Sequence, residues 1–270
     1  MKKLVTILVF IGLVVSCKTN PFTGKKTLNF QDNSALFPSA FQQYDAFLAE
    51  NEVIRNTEES EMIKRVGQRI KIAAEQWFNA NGYQGYLNDY RWEYNLVKSE
   101  QLNAWCMPGG KIVFYTGILP VCETEAGIAA VMGHEVAHAL VDHGAQRMSA
   151  STIQKGVLVA GNLATMSDRD KNLIFNAAYG VGSTVGVMLP FSRSHENEAD
   201  LIGQRLMAIA GYDPMAAANL WERMAESGNG GPPEILSTHP SSSTRIQNLR
   251  ANAPNARAEA ASFGVTEFQN

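Results

Sequence analysis

Two lysines, Lys2 and Lys3, open the chain, and an apolar run follows from Leu4 to Val15, broken only by Thr6 and Gly12. Such a run is too short to cross a bilayer as a helix, which takes ~18 or more residues, but it suits the core of an export signal. Further on, Ser34–Asn51 and Glu58–Phe78 carry a helical period. In the second, Met62, Ile63, Val66, Ile70, Ile72 and Ala73 recur at three- and four-residue steps, with Lys64, Arg65, Arg69 and Lys71 between them. Residues 90–99 alternate and predict a strand, "MPGG" at 107–110 a turn, and the "KIVFYTGIL" that follows another strand. A sheet of two or three strands is therefore expected. Thr124–Met148 predicts one long helix, capped by Thr124 with Glu125 in its first turn.

Residues 153–190 are apolar and rich in small side chains, interrupted by Asp168, Arg169, Asp170 and Lys171. They read as two tight helices packed through Gly and Ala, with a membrane-dipping hairpin as the sharper alternative. Ser194–Ala210, stopped by Gly211, and Asp213–Glu226 predict further helices. "GNGGPPE" at 228–234 reads as a loop, and helix resumes from Ser241. The fold class is α+β, mainly helical, with a small sheet ahead of the 124–148 helix.

Composition changes this picture little. The chain has 270 residues, 45% apolar and 18% charged, with a net charge of −3, and no basic stripe that would take nucleic acid. The N-terminus changes more. Val14-Val15-Ser16-Cys17 resembles a bacterial lipobox, which is cut before the cysteine that then carries lipid. The expected organisation is a signal peptide over 1–16, a lipid-anchored tether over 17–30, and one folded domain over 31–270. The compartment would be the periplasmic side of the cell envelope, with the outer membrane favoured over the inner. Cys106 and Cys122 could pair there, or serve as two small buried side chains.

The chemistry lies in "MGHEVAHALVDH" at 132–143. Residues four apart share a helix face, so His134 and His138 can reach one metal ion, while Glu135 points elsewhere and can take a proton from water. A catalytic zinc needs a third protein ligand. His143 lies five residues past His138, off that face, and reads as a helix-end histidine. "RSHENEAD" at 193–200 offers Glu196 as the ligand, with His195 as a weaker alternative. Asp200, one turn on, can hold the free ring N–H of a ligating histidine. Two imidazoles and a carboxylate favour one Zn²⁺ over other divalent ions.

"HEVAHALVDHGAQR", "SRSHENEAD", "STHPSSSTRIQNL", "NPFTGKKTLNF" and "NAWCMPGGKIVFYTGIL" together closely resemble the HtpX-like and CAAX-prenyl-protease-like zinc peptidases of metallopeptidase family forty-eight, nearest to an exported bacterial branch. The resemblance implies a zincin-like (gluzincin) domain, with His134, His138 and Glu196 as ligands, Glu135 as general base and Asp200 behind them. The family's membrane-embedded members carry several spanning helices; none is expected here after the signal, which implies a soluble, lipid-tethered form. Trp105-Cys106 departs from the family's usual residues and leaves the role of Cys106 open.

The expected reaction is hydrolysis of peptide bonds in unfolded or misassembled envelope proteins. Substrate would add as a strand near Asn103, Ala104, Lys111, Ile112 and Val113. Arg193, His195 and Arg245 are the candidates to support the oxyanion. His239, in "THP", is a candidate fourth ligand that would hold the enzyme latent. The alternative from another class is a zinc-bound chaperone or assembly factor with little proteolysis.

Overall fold

A computed structural model describes residues 17–30, 33–183, 188–227, 235, 239 and 243–270. The expected signal peptide over 1–16 and the loop over 228–234 lie outside the described residues. The chain divides into two compact units, one of residues 1–35 with 141–195, the other of 36–140 with 196–270.

The second unit holds the sheet. Helix α1 (Asn33–Glu50) precedes β3 (Val53–Ile54), and α2 (Glu58–Ala80) precedes β4 (Glu93–Val97). Next come β5 (Ala104–Met107), β6 (Lys111–Tyr115), the one-turn helix α3 (Leu119–Cys122) and α4 (Glu125–Leu140). Thr57 starts α2 with a reciprocal cap, its Oγ1 accepting from Ser60 N while Ser60 Oγ accepts from Thr57 N. The apolar period legible in the sequence becomes the buried face Ile63, Val66, Ile70, Ala73, Ala74, Trp77 and Phe78, while Ile72 falls off that face and is exposed. Strand order is β3-β4-β6-β5, with β4 and β6 parallel and the other pairs antiparallel. This corrects the expected two or three strands: β3 is only two residues long, and β5 is too short to show a clear alternation.

The second unit continues with most of α7 (Leu189–Ile209), then α8 (Met215–Glu226) and α9 (Ser243–Ser262). Gly211, at φ +87°, ends α7 as expected from its tolerance of the left-handed region. Mainly helical α+β is what the structure shows.

The first unit holds a two-stranded ribbon, β1 (Cys17–Thr19) with β2 (Lys26–Leu28), and the helices α5 (His143–Thr165) and α6 (Arg169–Ser183). Its ribbon occupies much of the stretch expected to be a tether. Phe30 N donates to Ser149 Oγ of α5 at 3.0 Å, and Lys18 pairs with Asp142 at 2.7 Å.

The expected single helix from Thr124 to Met148 is broken. Thr124 Oγ1 does accept from Gly127 N, as the cap predicts. Asp142, however, sits at φ +60°, a conformation no helix interior contains, and α5 starts anew at His143. His143 is thus at a helix N-terminus rather than near a C-terminal end. Cys106 and Cys122 are both unpaired thiols, with Cys122 fully buried.

Candidate metal centre

Helices α4 and α7 bring the centre together, and glycines set their separation. A Cβ placed on Gly133 would lie 2.7 Å from the carbonyl oxygen of Gly203, and one on Gly203 would lie 2.6 Å from His134 N. Only two glycines let the helix backbones approach this closely. The contact sits directly beside His134 and one turn beyond Asp200, so it fixes the spacing of the two ligand-bearing faces.

Four donors converge. His134 Nε2 lies 3.2 Å from His138 Nε2 and 3.2 Å from His239 Nδ1. Glu196 Oε2 lies 2.9 Å from His239 Nδ1 and 3.4 Å from His134 Nε2, and Glu196 Oε1 is 3.4 Å from His138 Nε2. A tetrahedral ion with bonds of ~2.0–2.1 Å separates its ligand atoms by roughly 3.3–3.4 Å, so this set has the right size for zinc. All four residues are buried. Glu135 Oε1 and Glu196 Oε1 are buried without a hydrogen bond, which is costly unless a cation or a reactant takes them up.

The electrostatics agree. Glu135, Glu196 and Asp200 are buried together, and Arg245 is the buried cation packed among them. Burial opposes charge on His134, but its contacts with Asp200 and Glu196 prevail and raise it to about 9. Burial likewise opposes ionisation of Glu196 and Asp200, yet His134 and His239 on the first, and Arg245 and His134 on the second, hold both below the usual carboxylate range. The pocket draws positive charge.

Behind His134 stands a chain of polar contacts. Asp200 Oδ1 meets His134 Nδ1 at 3.0 Å, which turns Nε2 toward the other donors. Arg245 Nε and Nη2 donate to the two oxygens of Asp200 at 2.6 and 2.7 Å, and Nη1 donates to the carbonyl of His239 at 3.3 Å. The guanidinium stacks over Trp221 at 4.3 Å, and that indole packs edge-on against His134 at 5.2 Å.

The structure thus brings together His134, Glu135, His138, Glu196, Asp200 and His239. His195 is not among the four donors: its ring stacks on His143 at 4.0 Å, and its Nε2 faces Gln146 Oε1 at 3.1 Å. Arg245, an oxyanion candidate from sequence, is committed to Asp200 instead, because a buried guanidinium needs a carboxylate partner. Arg193 is exposed. Trp221 carried no sequence signal beyond its place in a helix.

Around the expected substrate strand the outcome is divided. β5, with Ala104, has its outer edge unpaired among the described strands, and it packs on α4. Lys111, Ile112 and Val113 lie in β6, paired to β4 on one side and β5 on the other, so they form no edge. Their alternation marked them as strand but could not rank strands within a sheet. Cys106, on β5, has its thiol raised by burial and by the nearby Glu135 carboxylate, so it stays protonated.

The chain is 38% identical over 176 residues to the mitochondrial metalloendopeptidase OMA1 of Schizosaccharomyces pombe, covering 64% of this chain and 50% of that protein. It is 34% identical to OMA1 of Saccharomyces cerevisiae, over 69% of this chain and 54% of that one. To the beta-barrel assembly-enhancing protease of Escherichia coli it is 28% identical, over 60% of this chain and 34% of that protein. The chain therefore spans about half or less of the relatives it matches. The model of peptidase family M48 matches residues 61–253, which include all four donors and Glu135, and the chain belongs to that family.

Proposed function

We propose that this protein is a zinc-dependent endopeptidase of the cell envelope that hydrolyses peptide bonds in unfolded or misassembled proteins. The observation that carries the reading is the tetrahedrally sized donor set His134, His138, Glu196 and His239 beside Glu135, whose Oε1 makes no hydrogen bond and lies 3.6 Å from His239 Nε2. Held by His134, His138 and Glu196, a zinc ion would polarise a scissile carbonyl and make a water acidic enough to lose its proton near neutrality.

Glu135, with no hydrogen bond on Oε1, is free to accept that proton and return it to the leaving amine. With zinc bound, Asp200 would hold His134 in the tautomer whose unprotonated Nε2 faces the ion, and Arg245 keeps Asp200 ionised. An extended peptide would add to the edge of β5 at Asn103 and Ala104, with Lys111, Ile112 and Val113 supporting that strand from behind. An edge that reads main chain suits unfolded segments, and among its relatives one is named for β-barrel assembly. Cys17 would carry the lipid that attaches the protein to the periplasmic face of the membrane, in keeping with its lipobox-like context.

His239 has a second part in the proposal. With Nδ1 on the fourth donor position it fills the place where water must enter, so the resting enzyme is latent and His239 must leave before catalysis. The closed donor set is also what favours the alternative, an assembly factor that binds chains along β5 and rarely cuts them.

Digestion of casein with and without a zinc chelator tests the reading. Cleavage should cease with chelator and return with zinc, and His239→Ala should cleave faster than the wild type. Chelator-resistant cleavage would overturn the peptidase assignment, and a zinc-loaded His239→Ala no faster than wild type would overturn the latency.

A further inference from the structure

The first unit has a surface that peptide hydrolysis does not use. Eight of the eleven large apolar side chains exposed among the described residues fall between Met148 and Ile174, on α5, α6 and their connection. Those nearest the connection are the most open: Leu163 is 64% exposed, Met166 75%, Leu173 59% and Ile174 69%. Met148, Lys155, Val159, Leu163 and Met166 are spaced by seven, four, four and three residues, which is one continuous helix face. Folded soluble proteins rarely leave so concentrated an apolar patch without a partner.

What that partner is follows from charge. From Cys17 onward the first unit carries eight Lys and Arg against four Asp and Glu, a formal +4. The second unit carries thirteen against twenty-two, a formal −9. Nine of the eleven exposed apolar residues thus lie in the cationic unit of an acidic protein. Arg147, Lys155, Arg169 and Lys171 lie along the same hairpin against Asp168 and Asp170, and Lys171 pairs with Asp168 at 2.9 Å, which leaves the hairpin a formal +2. Apolar side chains interleaved with Lys and Arg are the pattern of elements that rest in the headgroup region of an anionic bilayer. No helix among the described residues is long and apolar enough to cross a membrane.

The interior of the hairpin is apolar as well. α5, α6 and β2 enclose a cavity of about 680 Å³ whose apolar wall includes Leu28, Ile153, Val157, Phe175 and Met188. The polar groups in the wall are spent on the protein: Gln154 Nε2 donates to Ser183 Oγ, Tyr179 O–H to the Gln154 carbonyl, and Gln146 Nε2 to the Val141 carbonyl. No charged side chain lines it, so it offers nothing to a polar ligand and suits a lipid tail.

We propose that the α5–α6 hairpin is a membrane-contact element that seats Leu163, Met166, Leu173 and Ile174 in the interface of an anionic phospholipid leaflet. It does so whether or not Cys17 carries lipid, and it would hold the protein against the membrane surface.

The four native tryptophans, Trp77, Trp92, Trp105 and Trp221, all lie in the second unit, so a tryptophan placed on the hairpin is the only indole of the first unit, and its signal is read as the difference from the unsubstituted chain. Ile174→Trp, in the full chain mixed with phosphatidylglycerol vesicles whose acyl chains are brominated, should be quenched. Arg55→Trp, at an exposed position of the second unit, should not. Adding Leu163→Ser, Met166→Ser and Leu173→Ser to Ile174→Trp should remove most of the quenching while leaving casein cleavage unchanged. Quenching of Ile174→Trp no greater than of Arg55→Trp overturns the proposal, whether or not the chain pellets with the vesicles. So does a blue shift of Ile174→Trp that rises with protein concentration in the absence of vesicles, which would assign the surface to a second copy of the chain.

Discussion

Asp200 stands between His134 and Arg245, giving one oxygen to the imidazole at 3.0 Å and both to the guanidinium at 2.6 and 2.7 Å. Two elements far apart in sequence thereby fix one ligand. Arg245→Ala leaves Asp200 charged and buried without its partner, at a cost of ~3–5 kcal/mol of folding stability. Asp200→Asn keeps the volume but loses the carboxylate, and zinc affinity should drop ~10–100-fold. Urea unfolding of the first variant and a zinc competition titration of the second check the two effects.

The Gly133–Gly203 crossing makes a second prediction. Gly203→Ala forces α4 and α7 apart where no side chain can yield, because the atoms met are backbone. Overpacking of this kind costs ~1–3 kcal/mol, and the displaced ligand faces should lose zinc affinity as well. Gly144→Ala, where a Cβ would meet nothing within 4 Å, is the matched control and should leave metal binding unchanged.

These two arrangements also mark how far the sequence could be read. His134, His138, Glu196 and Asp200 were legible because ligation imposes a four-residue spacing on a helix, and spacing is visible in one dimension. His239 was reached as a candidate through the family resemblance and the open fourth position of a catalytic zinc, since a lone histidine carries no period. The tie of Arg245 to Asp200 and the packing of Trp221 on His134 were not legible, because each joins helices with no shared pattern. Nor did Gly133 and Gly203 stand out, as single glycines inside helices look like mere breaks in propensity. The break at Asp142 was hidden for a similar reason. The helical period runs through it, while its carboxylate is met by Lys18 and Asn29 from the distant ribbon segment.

Removing the metal should destabilise the fold. Without it Glu135, Glu196 and Asp200 are buried with Arg245 as their close cation. At zinc a thousandfold above Kd the bound ion contributes ~4 kcal/mol, so the Tm should fall on chelation and recover when zinc is restored. Glu135→Gln should show the same zinc-dependent shift, since Glu135 is not a ligand in this account.

Cys122 sets an alkaline limit away from the metal. Burial pushes its thiol up to about 12 despite the pull of Arg223, against ~8.5 in an unfolded chain. A folded pKa above the unfolded one means that its stabilising contribution is complete below ~8.5 and is lost as pH rises toward 12. The native thiol should therefore resist alkylation at pH 8, and Cys122→Ala should show a shallower loss of stability between those two values. Urea midpoints measured across that range would reveal it.

The central claim is that Glu135 moves the proton during peptide hydrolysis at a metal held by its neighbours. Casein digestion by the wild type and by Glu135→Gln, both loaded with one zinc per chain, tests it most directly. The account predicts chelator-sensitive cleavage by the wild type and no measurable cleavage by Glu135→Gln at equal zinc content. Equal cleavage by the two proteins would contradict it.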